Sequence, residues 1–318
     1  MRVRFAGFNG TVKQRRFPLK VPPMRLERLA PALFVLLWST GWIVAKYAAP
    51  HADPLTFLDI RFAAAALVLM VFIALSGASL PKTRAGWFHA IVSGVFLHGI
   101  YLGGVWWAIS EGLPSSVSGL IAALQPLLTA AIAPIAIGER LRIAQFIGIG
   151  LGFAGLAIAI LPGLLALDAD ELRSEILPLC INVASMVSIV IGTLYQKRHL
   201  QEGDLRSIAM LQYVGALLFT VPVTFLIEDM RVDFNLEFVI ALAWSVFGLS
   251  ILSIALLLYL IRRGQVSRAA SLIYLVPPAV AIQSWLYFDE PLTAPMIVGT
   301  LVVVIGVWLT NRRPRPVI

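Results

Sequence analysis

The chain alternates long apolar runs with short polar connections. Ten runs are readable, at about 30–49, 55–76, 87–109, 114–137, 143–161, 175–195, 207–227, 238–260, 267–288 and 293–310. About twenty apolar residues suffice for a helix to cross a bilayer, so the pattern predicts an all-α integral membrane protein with ten transmembrane helices. No connection has room for a soluble domain, and the widest, 162–174, divides the chain in two. The two parts echo each other. Residues 119–141 read GLIAALQPLLTAAIAPIAIGERL and residues 270–292 read ASLIYLVPPAVAIQSWLYFDEPL. A constant shift of 151 residues lays Pro126 on Pro277, Leu124 on Leu275, Glu139 on Glu290 and Leu141 on Leu292. The same shift lays Gly148 on Gly299, Gly155 on Gly306, Gly41 on Gly192 and Lys46 on Lys197. A register held over that much chain marks a duplicated half. The predicted organisation is a basic tail at 1–29, five-helix repeats at 30–161 and 174–310, and a basic end at 311–318.

Charge gives the orientation. One set of connections holds Lys82, Arg84, Arg140, Arg142, Lys197, Arg198, Arg206, Arg262, Arg263 and Arg268, with Arg312, Arg313 and Arg315 at the end. The alternate set holds Asp53, Glu111, Asp168, Asp170, Glu171, Glu228, Asp229, Asp233 and Asp289, against Arg173 and Arg231. Cationic loops stay in the cytoplasm, so both termini are predicted there. Five spans per half then make the repeats inverted copies. The first 29 residues carry eight Lys or Arg and one acid, Glu27, and read as a disordered cytoplasmic extension. Met24 begins a self-sufficient MRLERLAPALF and is an alternative start to Met1.

Composition excludes several classes. Hydrophobic residues are 59% and charged residues 13%, far from the balance of a soluble domain. The single Cys180 allows no disulfide framework, and the four histidines show no metal-ligand spacing. No metal site and no cofactor are expected. The net charge of +8 is accounted for by the loop asymmetry rather than by nucleic acid. With no Walker A loop, ATP is not the power source.

The chain resembles drug/metabolite transporters of the EamA type. The resemblance rests on Trp38-Ser39-Thr40-Gly41 with Lys46 in span one, Arg61 early in span two, and the glycine-rich spans five and ten. Its strongest parts are Pro126…Gly138-Glu139-Arg140-Leu141 and Pro277…Glu290-Pro291-Leu292, and it covers about 30–311. Asp289 departs from the pattern by replacing the usual glycine before the second glutamate. The resemblance implies ten helices around a central cavity built mainly by spans one to four and six to nine, worked by alternating access. It implies an inner-membrane efflux transporter and names no substrate.

Candidate cargo-binding residues are Trp38, Thr40, Trp42 and Lys46 in span one, Arg61 in span two, His98 and Tyr101 in span three, Gln125 in span four, and Tyr274 and Gln283 in span nine. Pro126, Pro277 and Pro278 are candidate hinges, because a proline within a span frees a carbonyl that must face protein or a cavity. Lys46 either snorkels to the outer headgroups or meets cargo. Asp59 reads as a neutraliser of Lys46 or Arg61. Trp106 and Trp107 read as interface anchors, Glu139 and Glu290 as helix-end chemistry, and Gly148 with Gly152 as close packing within a half. The leading function is a secondary transporter exporting amino acids or organic acids, with protons as a candidate coupling ion. A multidrug exporter and a membrane-embedded enzyme acting on lipid-linked substrate are the alternatives. The partners expected are a small-molecule substrate and the bilayer.

Overall fold

A computed structural model of the chain describes residues 23–137, 141–253, 255–256 and 273–311. The repeated Glu139 and its neighbours Gly138 and Arg140 lie outside these residues, as do Arg262, Arg263, Arg268 and both basic tails. Among the described residues every regular element is helical, and the β pairing is an isolated bridge between Ala52 and Val232. The order is α1 Pro23–Ala48, α2 Pro54–Ser76, α3 Arg84–Gly94, the π-helical π1 Val95–Ile100, α4 Tyr101–Ser110, α5 Ser115–Ala122, α6 Gln125–Ile137 and α7 Ile143–Leu165. There follow α8 Ala169–His199, α9 Leu205–Ile227, α10 Leu236–Ala243, the π-helical π2 Trp244–Leu252, a 3₁₀ turn Ile273–Leu275, α11 Val276–Phe288 and α12 Ala294–Asn311. Seven helical stretches are long and apolar enough to cross a membrane: Pro54–Ser76, Arg84–Ser110, Ser115–Ile132, Ile143–Leu165, Ala169–His199, Leu205–Ile227 and Ala294–Asn311. Shorter apolar helices run over Ala32–Ala48 and Leu236–Leu252.

Polar residues at the run ends set the helix limits. Asp168 caps α8 through the amides of Asp170 and Glu171, and Glu171 returns the bond to Asp168. This capping starts α8 six residues before the predicted span at 175. Asp204 and Asn235 cap α9 and α10 in the same way, and Gly77 closes α2 at a left-handed φ of 65°.

The prolines do something other than kink a continuous span. Pro126 is the second residue of α6 and Pro277 the second residue of α11. In the first turn of a helix the missing N–H would have no intrahelical partner anyway, so proline fits without loss. Span four is broken before Pro126. There Ala123 and Leu124 bond back to Leu120 and Ile121, three residues away, and the turn tightens. The 3₁₀ turn precedes Pro277 at the matching place.

Two glycine contacts set the closest approaches. A Cβ on Gly148 would stand 2.6 Å from the Gly306 carbonyl, and one on Gly299 would stand 2.4 Å from the Gly155 carbonyl. Helices α7 and α12 therefore touch backbone to backbone along their length. Gly148 packs across to the other half rather than within its own, contrary to the reading from spacing alone. The second contact joins α3 to α9, where a Cβ on Gly94 would meet the Gln212 carbonyl at 2.0 Å and one on Gly215 the Ile91 carbonyl at 2.1 Å.

Charge is sorted by end. At one end, the Asp53 and Asp233 amides donate to the Arg231 and His51 carbonyls, and the Glu228 carboxylate takes the Leu55 and Thr56 amides. Glu228 thus caps α2 from the end of α9. Burial pushes its carboxyl up, against the pull of those amides. At the other end, Arg206 bonds Ser76 and Asp204, and His89 lies 2.7 Å from the Tyr195 hydroxyl and stacks on His199. The acidic connections at Asp53 and Glu228 and the basic one at Arg206 thus lie at opposite ends of α2 and α9.

Candidate functional site

Arg61 lies in the bundle interior. It is 6% exposed, on the face of α2 turned toward α4, α9 and π2. Nη2 donates a long bond of 3.4 Å to the Ser250 hydroxyl, and the guanidinium carbon lies 5.8 Å from the Trp106 ring. Nε is buried and has no hydrogen-bond partner. Tyr101 and Tyr213 are close enough to interact with its charge. Aromatic rings wall the site. Trp106 stacks on Phe57 at 4.9 Å, and His98 stacks on Tyr213 at 4.8 Å with Phe62 behind it. No carboxylate lies within ion-pair distance of Arg61 among the described residues. A buried cation without a counter-charge costs on the order of several kcal/mol, so the arrangement suits an anion.

Asp59 does not neutralise Arg61. Two residues apart on a helix, they leave on different faces. Asp59 turns to α9 and accepts hydrogen bonds from the Thr220 and Thr224 hydroxyls. Lys46 is not a snorkelling residue either. Its ammonium meets Glu290 at 2.6 Å. The Glu290 carboxylate, 6% exposed, also accepts the amides and hydroxyls of Ser115 and Ser116, and the Ser115 hydroxyl lies 2.8 Å from that of Ser284. Burial pushes the Glu290 carboxyl up, but the bonds from Lys46, Ser116 and Ser115 outweigh it and hold the group below the usual carboxylate range. Helix-end chemistry is therefore right for Glu290, except that the helix it caps is α5, from the α11–α12 connection, together with Lys46 of α1. One cluster ties three helices together at the acidic end. Asp289 supports it by taking the left-handed conformation, φ 53°.

Other candidates distribute as follows. Trp42 is buried with its indole N–H unpartnered. Gln283 donates to the Ser39 hydroxyl at 2.8 Å and leaves Oε1 buried and unpartnered. Thr40 bonds the Leu37 carbonyl and accepts from Trp244 of π2. Trp38 is 36% exposed and its ring lies tilted against Phe34 at 5.4 Å. Gln125 is half-buried at the start of α6. Tyr274 lines a small crevice against α12 with Ala123, Pro126, Val304 and Val307. Trp106 is 3% exposed and forms the Arg61 wall, so it is no interface anchor; Trp107 is half-buried.

Three features escape a reading of the sequence. Asn182 of α8, fully buried, donates to the Ser118 hydroxyl at 2.7 Å and keeps Oδ1 unpartnered. The two π-helical segments occupy matching places, since the shift of 151 carries Val95–Ile100 into Trp244–Leu252. Both abut the Arg61 site, through His98 of π1 and Ser250 of π2. The serines of π2 show the winding: Ser250 and Ser253 bond carbonyls five residues back. Such π turns concentrate at functional sites. Within the first half alone, only polar residues inside apolar runs signalled any of this.

Comparison with known proteins bears on what the site serves. The model of the EamA-like transporter family matches residues 29–161 and 177–312. An uncharacterized transporter of Bacillus subtilis, YvbV, is 26% identical over 93% of this chain and 95% of its own. A probable amino-acid metabolite efflux pump of Escherichia coli is 24% identical over 90% and 94%. The uncharacterized inner membrane transporter YedA of Escherichia coli is 25% identical over 81% and 83%. One solved crystal structure superposes with a TM-score of 0.60 over 90% of this chain and 96% of its own, at 19% identity, a likeness of fold alone.

Proposed function

The chain belongs to the EamA-like transporter family, and from that premise we propose that it exports small carboxylate-bearing metabolites, amino acids or organic acids, by alternating access. It is a multi-pass membrane transporter; the cargo, the direction and the mechanism are the proposal. The observation that carries it is Arg61, a buried guanidinium with an unpartnered Nε and no carboxylate beside it, walled by aromatic rings. A desolvated guanidinium favours a carboxylate strongly and in defined geometry. The similarity to the probable amino-acid metabolite efflux pump of Escherichia coli agrees with this cargo class. A cationic drug would meet the wrong charge at this site.

Two inverted five-helix repeats, 30–161 and 174–310, account for the contacts between halves. With Gly148 equivalent to Gly299 and Gly155 to Gly306, a two-fold relation matches a Gly148–Gly306 contact with a Gly155–Gly299 contact, and both are present. The Lys46–Glu290–Ser116 cluster then acts as a gate at the acidic, outer end. In the sequence the shift of 151 lays these residues on Lys197, Glu139 and Ser267, of which Glu139 and Ser267 lie outside the described residues. In alternating access the opposite end opens when this one closes. Uptake of a panel of radiolabelled amino acids and organic acids into inside-out vesicles tests the reading. Arg61→Met should raise the apparent KM for the accepted acids while the protein still inserts. Unchanged uptake by Arg61→Met refutes the cargo assignment.

A further inference from the structure

We infer that Asp59 is a reversible proton-binding site and that the proton it takes is the ion coupled to transport. The coupling rests on the transporter reading above; the proton site does not. Asp59 sits five residues into α2 after Pro54, about 8 Å along the helix axis, inside a predicted membrane span. Its carboxylate has no ion pair among the described residues. The charged and titratable groups on the elements packed around it are otherwise engaged or distant from its face. On α9, Tyr213 stacks on Phe62, while Arg206 and Glu228 sit at the helix ends on Asp204 and on the α2 amides. On α4, Tyr101 lies beside Arg61; on α1, Lys46 meets Glu290.

The hydroxyls around Asp59 decide the chemistry. Thr220 Oγ1 faces both Asp59 Oδ1 and the Ala216 carbonyl, the latter at 2.9 Å. Thr224 Oγ1 faces both Asp59 Oδ2, at 2.7 Å, and the Thr220 carbonyl, at 2.9 Å. Each hydroxyl has one proton and two acceptors in reach. With Asp59 ionised, both protons point to the carboxylate. When the carboxylate takes up one proton from water and becomes a neutral acid, its own O–H donates to a threonine oxygen. That threonine then turns its proton to the carbonyl it already touches. Both protonation states are thus hydrogen-bonded without backbone movement. Asp59 is half-buried, so its carboxyl is not sealed inside the bundle.

Coupling follows from position. Helix α2 carries Asp59 against α9 and, two residues on, Arg61 at the interior. Protonation replaces two charge-assisted bonds across the α2–α9 contact with neutral ones, which are weaker. Proton uptake therefore loosens the packing that holds Arg61 beside Tyr213.

The direct test is infrared difference spectroscopy of the full chain in nanodiscs, between acid and alkaline buffer. The wild type should show the carbonyl stretch of a protonated carboxyl that disappears in Asp59→Asn and returns in Asp59→Glu. The Thr220→Val/Thr224→Val variant, which strips donors from the ionised form, should move that titration to higher pH. A band that persists in Asp59→Asn overturns the inference. Should Asp59→Asn fail to fold, a titration unmoved in the threonine variant overturns it equally. In vesicles given a radiolabelled amino-acid mixture, Asp59→Asn should lose proton-driven accumulation and keep counterflow. Retained accumulation overturns the coupling. Wild-type vesicles that move none of the mixture, with the infrared band present, count against the transport reading and leave the proton site standing.

Discussion

Replacing Glu290 by glutamine should open the acidic end of the bundle. The carboxylate oxygens accept five donors: Lys46, and the amide and hydroxyl of both Ser115 and Ser116. Glutamine keeps one acceptor oxygen and turns an NH₂ toward the rest, so at least two bonds to a charged group are lost in either orientation. Each is worth about 1.5–3 kcal/mol, though the Lys46 side chain is 34% exposed and water recovers part of its share. A net loss of about 2–4 kcal/mol from the closed state is reasonable, or roughly 30- to 1,000-fold in the opening equilibrium. Ser284, fully buried beside Ser115, reports the change. In a Cys180→Ser background, Ser284→Cys should react slowly with an impermeant maleimide added outside, and much faster once Glu290→Gln is present. The same rate should rise in acid. The carboxyl is held below its ordinary 4.5, so the stability it contributes is full above that value and is lost as pH falls through the depressed one. An unchanged labelling rate in Glu290→Gln would refute the gate.

Three further outcomes are expected. Gly306→Val drives side-chain atoms into the Gly148 carbonyl and Gly152 amide, which cannot yield; it should destabilise by about 1–3 kcal/mol or more, whereas Gly150→Ala, which meets nothing within 4 Å, should be neutral in the same thermal melt. Asp289→Gly removes the strain of a left-handed non-glycine residue and should raise stability, by less than the roughly 1–2 kcal/mol this conformation costs most residues, because Asp tolerates it better. Pro126→Ala and Pro277→Ala let α5 run into α6 and the 3₁₀ turn into α11, so counterflow should slow while stability changes by less than about 1 kcal/mol; turnover at wild-type rate in the double variant removes the hinge role.

Much of this molecule was legible in the sequence because apolar runs and loop charge are local signals. Seven of the ten predicted runs coincide with helices long and apolar enough to cross a membrane; Asp168 moved the start of one by capping beyond the apolar run, and the limits at 260 and 267 lie outside the described residues. The repeat register placed Pro126 and Pro277 together but not their role: a proline beginning a helix and one bending it look alike in sequence. Glu290 stood out as a repeated acid, yet Lys46 is 244 residues away, and no single-sequence pattern joins them. The assignment of Asp59 to Arg61 was avoidable, since residues two apart diverge on a helix. Trp106 was misread because an aromatic near a span end anchors at the interface or closes a site, and only tertiary contacts distinguish these. The π segments give no local signature, although Ser245 and Ser250 stand five residues apart, the spacing of a π turn.

The central claim is that Arg61 reads a carboxylate on the cargo. The most direct measurement compares an accepted acid with its neutral amide in competition for counterflow, in wild type and in Arg61→Met. The wild type should prefer the acid by roughly 10-fold or more, the worth of one charge-assisted contact at a buried site, and Arg61→Met should show no preference. Equal preference for the acid in both proteins would contradict the account.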